Sequence, residues 1–117
     1  MKKDLKEIKG KIIDHRRINP QYYILKVQAP EIAVTARPGQ FIMLRLDELH
    51  DPLLRRPFSF FRIFPSKRKP GGGLAEGGFE ICYQVVGRGT ARMTRLRGGE
   101  KVDLLGPLGR GFWREEG

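Results

Sequence analysis

The sequence has few of the residues that carry catalysis or metal binding on their own. It holds one cysteine, Cys82, in 117 residues. A single cysteine rules out an internal disulfide and cannot alone hold zinc or an iron–sulfur cluster. In mid-strand, with no helix N-terminus to lower its pKa, it is expected to be a small buried residue in a reducing, cytoplasmic setting. The two histidines, His15 and His50, stand apart without metal-ligand spacing, and nothing marks a pair of carboxylates, so no metal site and no hydrolytic centre is expected. Long apolar runs are missing too. No stretch approaches the roughly 20 residues of a membrane helix, and the basic start Met1 to Lys6 leads into no apolar signal core. A soluble, unsecreted chain with no membrane partner is expected.

What is present is a globular composition, 39% hydrophobic and 31% charged, with seven Phe and three Tyr. The length fits one domain. The formal net charge is +10, and it is clustered. Residues 1–20 hold seven Lys and Arg against three acids, and residues 61–75 hold Arg62, Lys67, Arg68 and Lys69 against none. Such clusters suit a solvated basic face, a nucleotide, a nucleic acid or an acidic partner.

Strand signals dominate. Ile8 to Arg17 and Tyr22 to Val27 flank the turn residues Asn19-Pro20 and predict a hairpin. Glu31 to Ala36 reads as a loose segment, and Pro38-Gly39-Gln40 as a tight turn into a central strand, Phe41 to Leu46. Asp47 to Asp51 reads as a polar loop. Pro57 to Phe64 predicts one strand, Pro65 to Gly78 an exposed mobile loop, and Phe79 to Val86 a strand with Phe79, Ile81, Tyr83 and Val85 on one face. Thr90 to Leu96 is the one helix predicted, capped by Thr90 and ended by Gly98-Gly99. Lys101 to Leu105 is a last strand, and Gly106 to Phe112 a glycine-rich exit. The expectation is all-β: a six-stranded antiparallel Greek-key barrel with one short helix.

Two segments carry chemistry. In Arg55-Arg56-Pro57-Phe58-Ser59-Phe60 a guanidinium, an aromatic ring and a hydroxyl follow one another on a strand. They can fork onto phosphate, pack on a flat heterocycle and hydrogen-bond a ring nitrogen. An ordinary aromatic strand with a solvated arginine explains the same residues. In Val85-Val86-Gly87-Arg88-Gly89-Thr90-Ala91 a strand passes through a glycine turn into a helix, a geometry that can cradle a diphosphate. A plain strand–turn–helix link is the bland alternative. Arg88, Arg92 and Arg95 share one side of the predicted helix.

Together the two segments resemble the flavin-binding domain of the ferredoxin-reductase superfamily, which joins an Arg-x-[aromatic]-[Ser/Thr] strand to a Gly-x-Gly-Thr/Ser helix start. The matching residues are Arg56-Pro57-Phe58-Ser59 and Gly87-Arg88-Gly89-Thr90. With Pro38-Gly39-Gln40-Phe41 and Leu105-Gly106-Pro107-Leu108-Gly109-Arg110-Gly111-Phe112, the pattern is most similar to the electron-transfer subunits of NAD-dependent dihydroorotate dehydrogenase. The resemblance runs from about Ile8 to Phe112. It implies FAD as cofactor, with Arg56 on the diphosphate and Phe58 against the isoalloxazine. Ser59 would be the catalytic hydroxyl near flavin N5. Tyr83, Val85 and Val86 would line the ring and ribityl region, with Gly87, Gly89 and Thr90 at the diphosphate. It also implies a catalytic dehydrogenase subunit as partner and a role in pyrimidine biosynthesis. An FAD-binding domain is expected over 1–112, with 113–117 opening a linker to an NAD-binding domain absent from this chain. The NAD and [2Fe–2S] sites would lie in missing parts or partners. The Phe58 position is Tyr in many members, so any contact needing that hydroxyl is absent. A basic barrel binding single-stranded nucleic acid is the rival, and an inactive docking fragment a third reading. The rival gives no reason for Gly87-Arg88-Gly89-Thr90 to open a helix.

Overall fold

A computed structural model describes residues 5–46 and 55–110. The linker expected over 113–117, the polar loop at Asp47 to Asp51, His50 and Phe112 lie outside the described residues. The elements are β1 (Lys6–Arg17), β2 (Tyr22–Gln28), α1 (Pro30–Ala33), β3 (Phe41–Arg45), β4 (Arg56–Ser59), β5 (Arg62–Phe64), β6 (Lys67–Arg68), β7 (Leu74–Ala75), β8 (Gly78–Gln84), α2 (Arg88–Met93) and β9 (Lys101–Leu108). Seven strands form one curled antiparallel sheet in the order β4-β3-β9-β1-β2-β8-β5, and β6 and β7 form a separate ribbon. This is the all-β barrel-like architecture expected.

The expected β1–β2 hairpin forms. Asn19 Oδ1 accepts from the Gln21 and Tyr22 N–H groups at 2.9 and 3.0 Å and closes the turn. The β1–β2 register shifts between Ile12 and Asp14, leaving Ile13 as a half-exposed extra residue. This bulge lets one long strand serve two halves of the sheet: residues 6–11 pair with β9 and residues 11–17 with β2. Gly10 lies at the crossing. A Cβ there would come within 2.6 Å of both Leu104 and Val27, so only glycine lets the strands close over the core.

Alternation sets the core. Phe79, Ile81 and Tyr83 of β8 point inward and pack with Leu25, Val27, Ile42, Leu44, Val102 and Leu104. Cys82 falls on the other face and is exposed, contrary to the buried position expected.

Three further expectations need correction. The single strand predicted over Pro57 to Phe64 is two: β4 pairs with β3, and β5 with β8. The chain bends between them at Phe60–Phe61, where Phe60 N–H reaches Gln40 O and Phe61 N–H reaches Glu80 O, at 3.4 and 2.7 Å. Taken as one bent run, β4–β5 restores the six strands expected. Secondly, the segment after Pro30 is a short helix rather than loose chain. Pro30 sits in its first turn, where the missing N–H costs nothing, and Ile32 is fully buried beneath it. Thirdly, the loop predicted over Pro65 to Gly78 contains the β6–β7 ribbon, with Lys67 opposite Ala75 and Arg68 opposite Leu74.

Candidate functional site

β4 and α2 meet at one end of the sheet. In β4, Arg56 lies opposite Leu44 and Phe58 opposite Ile42. Cross-strand partners share a face, so Arg56 and Phe58 lean to the side of these two core residues. Pro57 and Ser59 point the other way and are exposed; Ser59 lies opposite Phe41, which in turn faces Leu108.

β8 ends at Gln84 and is followed by Val85, half-buried, and Val86, which is 73% exposed. Gly87 then starts α2 from an extended conformation. The helix begins at Arg88, earlier than the Thr90 predicted, and so Thr90 occupies its third position rather than the cap. The Thr90 hydroxyl reaches back. It accepts from the Val86 and Gly87 N–H groups at 2.8 and 3.1 Å and lies 3.2 Å from the Gly87 carbonyl, to which it can donate. That hydroxyl organises the turn, which leaves the first-turn backbone N–H groups as the donors for an external group. Arg88, Arg92 and Arg95 are all exposed.

Gly89 is buried, and a Cβ there would run into the Arg56 guanidinium. Arg56 therefore lies directly against the glycine turn. The two sequence motifs, with Arg56 and Gly89 33 residues apart, converge on one place.

An aromatic cluster supports it. The Phe58 ring meets Tyr83 edge-on at 6.1 Å, and Tyr83 stacks with Tyr23 at 5.6 Å and with His15 at 5.9 Å. Tyr83 is a core residue, 3% exposed. Burial, with the Tyr23 phenol adding to it, pushes its hydroxyl well above the usual phenol range, so it stays protonated. His15 ties this cluster to the segment after α2. The Leu96 carbonyl can only accept, so Nδ1 carries a proton toward it at 3.0 Å. In neutral His15 the Nε2 then accepts from the Tyr83 hydroxyl at 2.8 Å. The sequence offered no sign of this role, because His15 is isolated along the chain and its partners lie 68 and 81 residues away.

Gln40 and Gly109 close the neighbouring rim, with Gln40 Nε2 donating to the Gly109 carbonyl at 2.8 Å. Among the described residues no group of three His, Cys, Asp or Glu is placed to hold a metal ion, and no helix is long and apolar enough to cross a membrane.

No family model matches the chain. Among curated proteins it is 39% identical over 103 residues to the dihydroorotate dehydrogenase B (NAD(+)) electron transfer subunit of Desulforamulus reducens, covering 88% of this chain and 36% of that protein. The same subunit from Geobacillus thermodenitrificans is 38% identical, over 86% of this chain and 36% of that protein. The chain thus spans about a third of the length of these relatives. Among solved structures, an NADH-dependent reduced ferredoxin-NADP oxidoreductase superposes with a TM-score of 0.65 at 28% identity, over 87% of this chain and 34% of that one. The ferredoxin reductase of carbazole 1,9a-dioxygenase superposes with a TM-score of 0.73 at 19% identity, over 96% of this chain and 31% of that one, a likeness of fold. The chain thus has a ferredoxin-reductase-like fold, a curled antiparallel half-barrel, and is similar in sequence over most of its length to about a third of the dihydroorotate dehydrogenase B electron transfer subunit.

Proposed function

We propose that this domain binds FAD and forms the flavin module of an electron-transfer oxidoreductase. The observation that carries the reading is the Arg56 guanidinium lying against Gly89 at the start of α2. A forked cation beside a glycine turn, where no Cβ intrudes, fits a diphosphate. When bound, FAD supplies the redox chemistry, and the protein supplies binding, orientation and electronic tuning. Arg56 would pair with the diphosphate, with Gly87 and Gly89 letting the backbone approach it and Thr90 holding the turn in shape. Pro57 would set the course of β4. Phe58, backed by Tyr83, would lie against the flavin ring. Val85 and Val86 would line the ribityl region. Ser59 would offer its exposed hydroxyl near flavin N5, acting as the catalytic group.

In the whole protein, electrons would pass between a catalytic dehydrogenase subunit, through its flavin and an iron–sulfur centre, and NAD(P) bound elsewhere. Dihydroorotate oxidation, which the relatives' names carry, would be the reaction served, as a step of pyrimidine biosynthesis. The unpaired, exposed Cys82 accords with a reducing cytoplasm. Nothing in the relatives favours nucleic acid as a ligand.

The test is a titration of the purified chain with FAD. Quenched flavin fluorescence and a shifted visible spectrum are expected, and Arg56→Ala or Gly89→Ala should weaken binding at least about tenfold, as loss of a charge-assisted contact implies. An unchanged flavin spectrum at tens of micromolar FAD would remove the reading for this chain.

A further inference from the structure

A groove of about 380 Å³ opens away from α2. It is lined by Lys9, Lys11 and Lys101, by Lys69, Leu74, Ala75 and Glu76 of the β6–β7 ribbon, and by Gln28 and Pro30. Gln28 pairs with Gly78, the first residue of β8, whereas α2 follows the last. The seven residues of β8 separate the two places by about 20 Å.

Its charge is unbalanced by construction. Lys11 lies directly opposite Lys101 across β1 and β9, on the outward face. Like charges in that position destabilise a sheet unless something else occupies the space between them. The carboxylate in the lining, Glu76, is drawn to Lys67 at 3.4 Å. Asp103, two pairs further along, is shared between Lys9 and Arg45 at 2.8 and 3.0 Å. Among the described residues no carboxylate pairs with Lys11, Lys69 or Lys101.

The ribbon side adds a small apolar patch beside Lys69 and Glu76, and it is held in place. Pro30, Leu74 and Ala75 supply the patch. Ser66 Oγ–H donates to the Pro30 carbonyl at 2.7 Å and Ala29 N–H to the Gly77 carbonyl at 3.1 Å, tying the ribbon to the start of α1. An open groove near the lower end of the usual small-ligand range, lined by lysines from both strands and ribbon around a small apolar patch, has the size and polarity for a nucleotide.

We propose that this groove binds a small organic phosphate of nucleotide size, its phosphate between Lys11 and Lys101 and its apolar part against Pro30, Leu74 and Ala75. The site is separate from the flavin reading and stands or falls without it.

The experiment is calorimetric titration of the purified chain with AMP and with inorganic pyrophosphate, on the native sequence and on the double variant Lys11→Gln/Lys101→Gln. AMP is expected to bind at least about fivefold more tightly than pyrophosphate, because it also covers the apolar patch. The double variant should lose at least about tenfold of the AMP affinity, bind FAD as before, and melt no lower than the native chain, since a like-charge pair has gone. AMP affinity unchanged in the variant, or pyrophosphate binding as tightly as AMP, overturns the proposal. A single-stranded oligonucleotide that binds more tightly than AMP through the same lysines also overturns it, assigning the groove to nucleic acid instead.

Discussion

Asp103 shows how one side chain holds two strands together. Burial alone would raise its carboxyl pKa, but hydrogen bonds from Lys9 and Arg45, together with their charges, outweigh it and hold the group below its ordinary value. A carboxylate whose pKa is lower folded than unfolded adds stability above its unfolded value, about 4, and loses it as pH falls through the folded one. Asp103→Asn is therefore expected to melt below the native chain at pH 7, with the gap closing as pH falls below about 4. A gap that is constant between pH 7 and pH 3, followed by circular dichroism, would show that the ion pairs contribute nothing. Residues of this kind were partly legible. Arg56 and Gly89 were named from local chemistry, because each belongs to a short motif. His15 and the Lys11–Lys101 pair were not, because their significance depends on which strands become neighbours.

At the scale of elements, α2 has six residues, too few to be stable alone. Its start depends on Thr90, whose hydroxyl serves two backbone donors. Thr90→Ala should cost about 1 kcal/mol of stability, as loss of a capping side chain does, whereas Thr90→Ser should keep most of it. Urea denaturation of both variants checks this, and equal midpoints would remove the role. The sequence placed the helix correctly but two residues late, since Thr90 resembles a cap while its hydroxyl in fact reaches back from inside the first turn. The strands were legible wherever one face is buried: β8 alternates from Ile81 to Gln84, although Gly78 to Ile81 are all buried. Four residues give no period, so α1 is not legible, and aromatic character that continues through the bend makes β4 and β5 look like one strand.

For the whole molecule, the chain spans about a third of its relatives, so the reaction of the complete protein is expected to need more than this domain. With FAD added, the chain by itself should show no oxidation of NADH, followed by loss of absorbance with an artificial acceptor. Measurable diaphorase turnover would mean that the barrel alone holds both the flavin and the nucleotide. Fold class was legible from turn spacing and strand composition. The curl of the sheet was not, because it depends on a bend whose two sides pair with different strands.

That bend also bears on solubility. The two outermost strands of the curled sheet, β4 and β5, have only four and three residues, and β4 contains Pro57, which has no N–H to offer. An edge so short and interrupted gives another chain little backbone to pair with, and basic residues such as Arg62 stand along it. The corner that shapes the barrel thus also guards it against edge-to-edge aggregation.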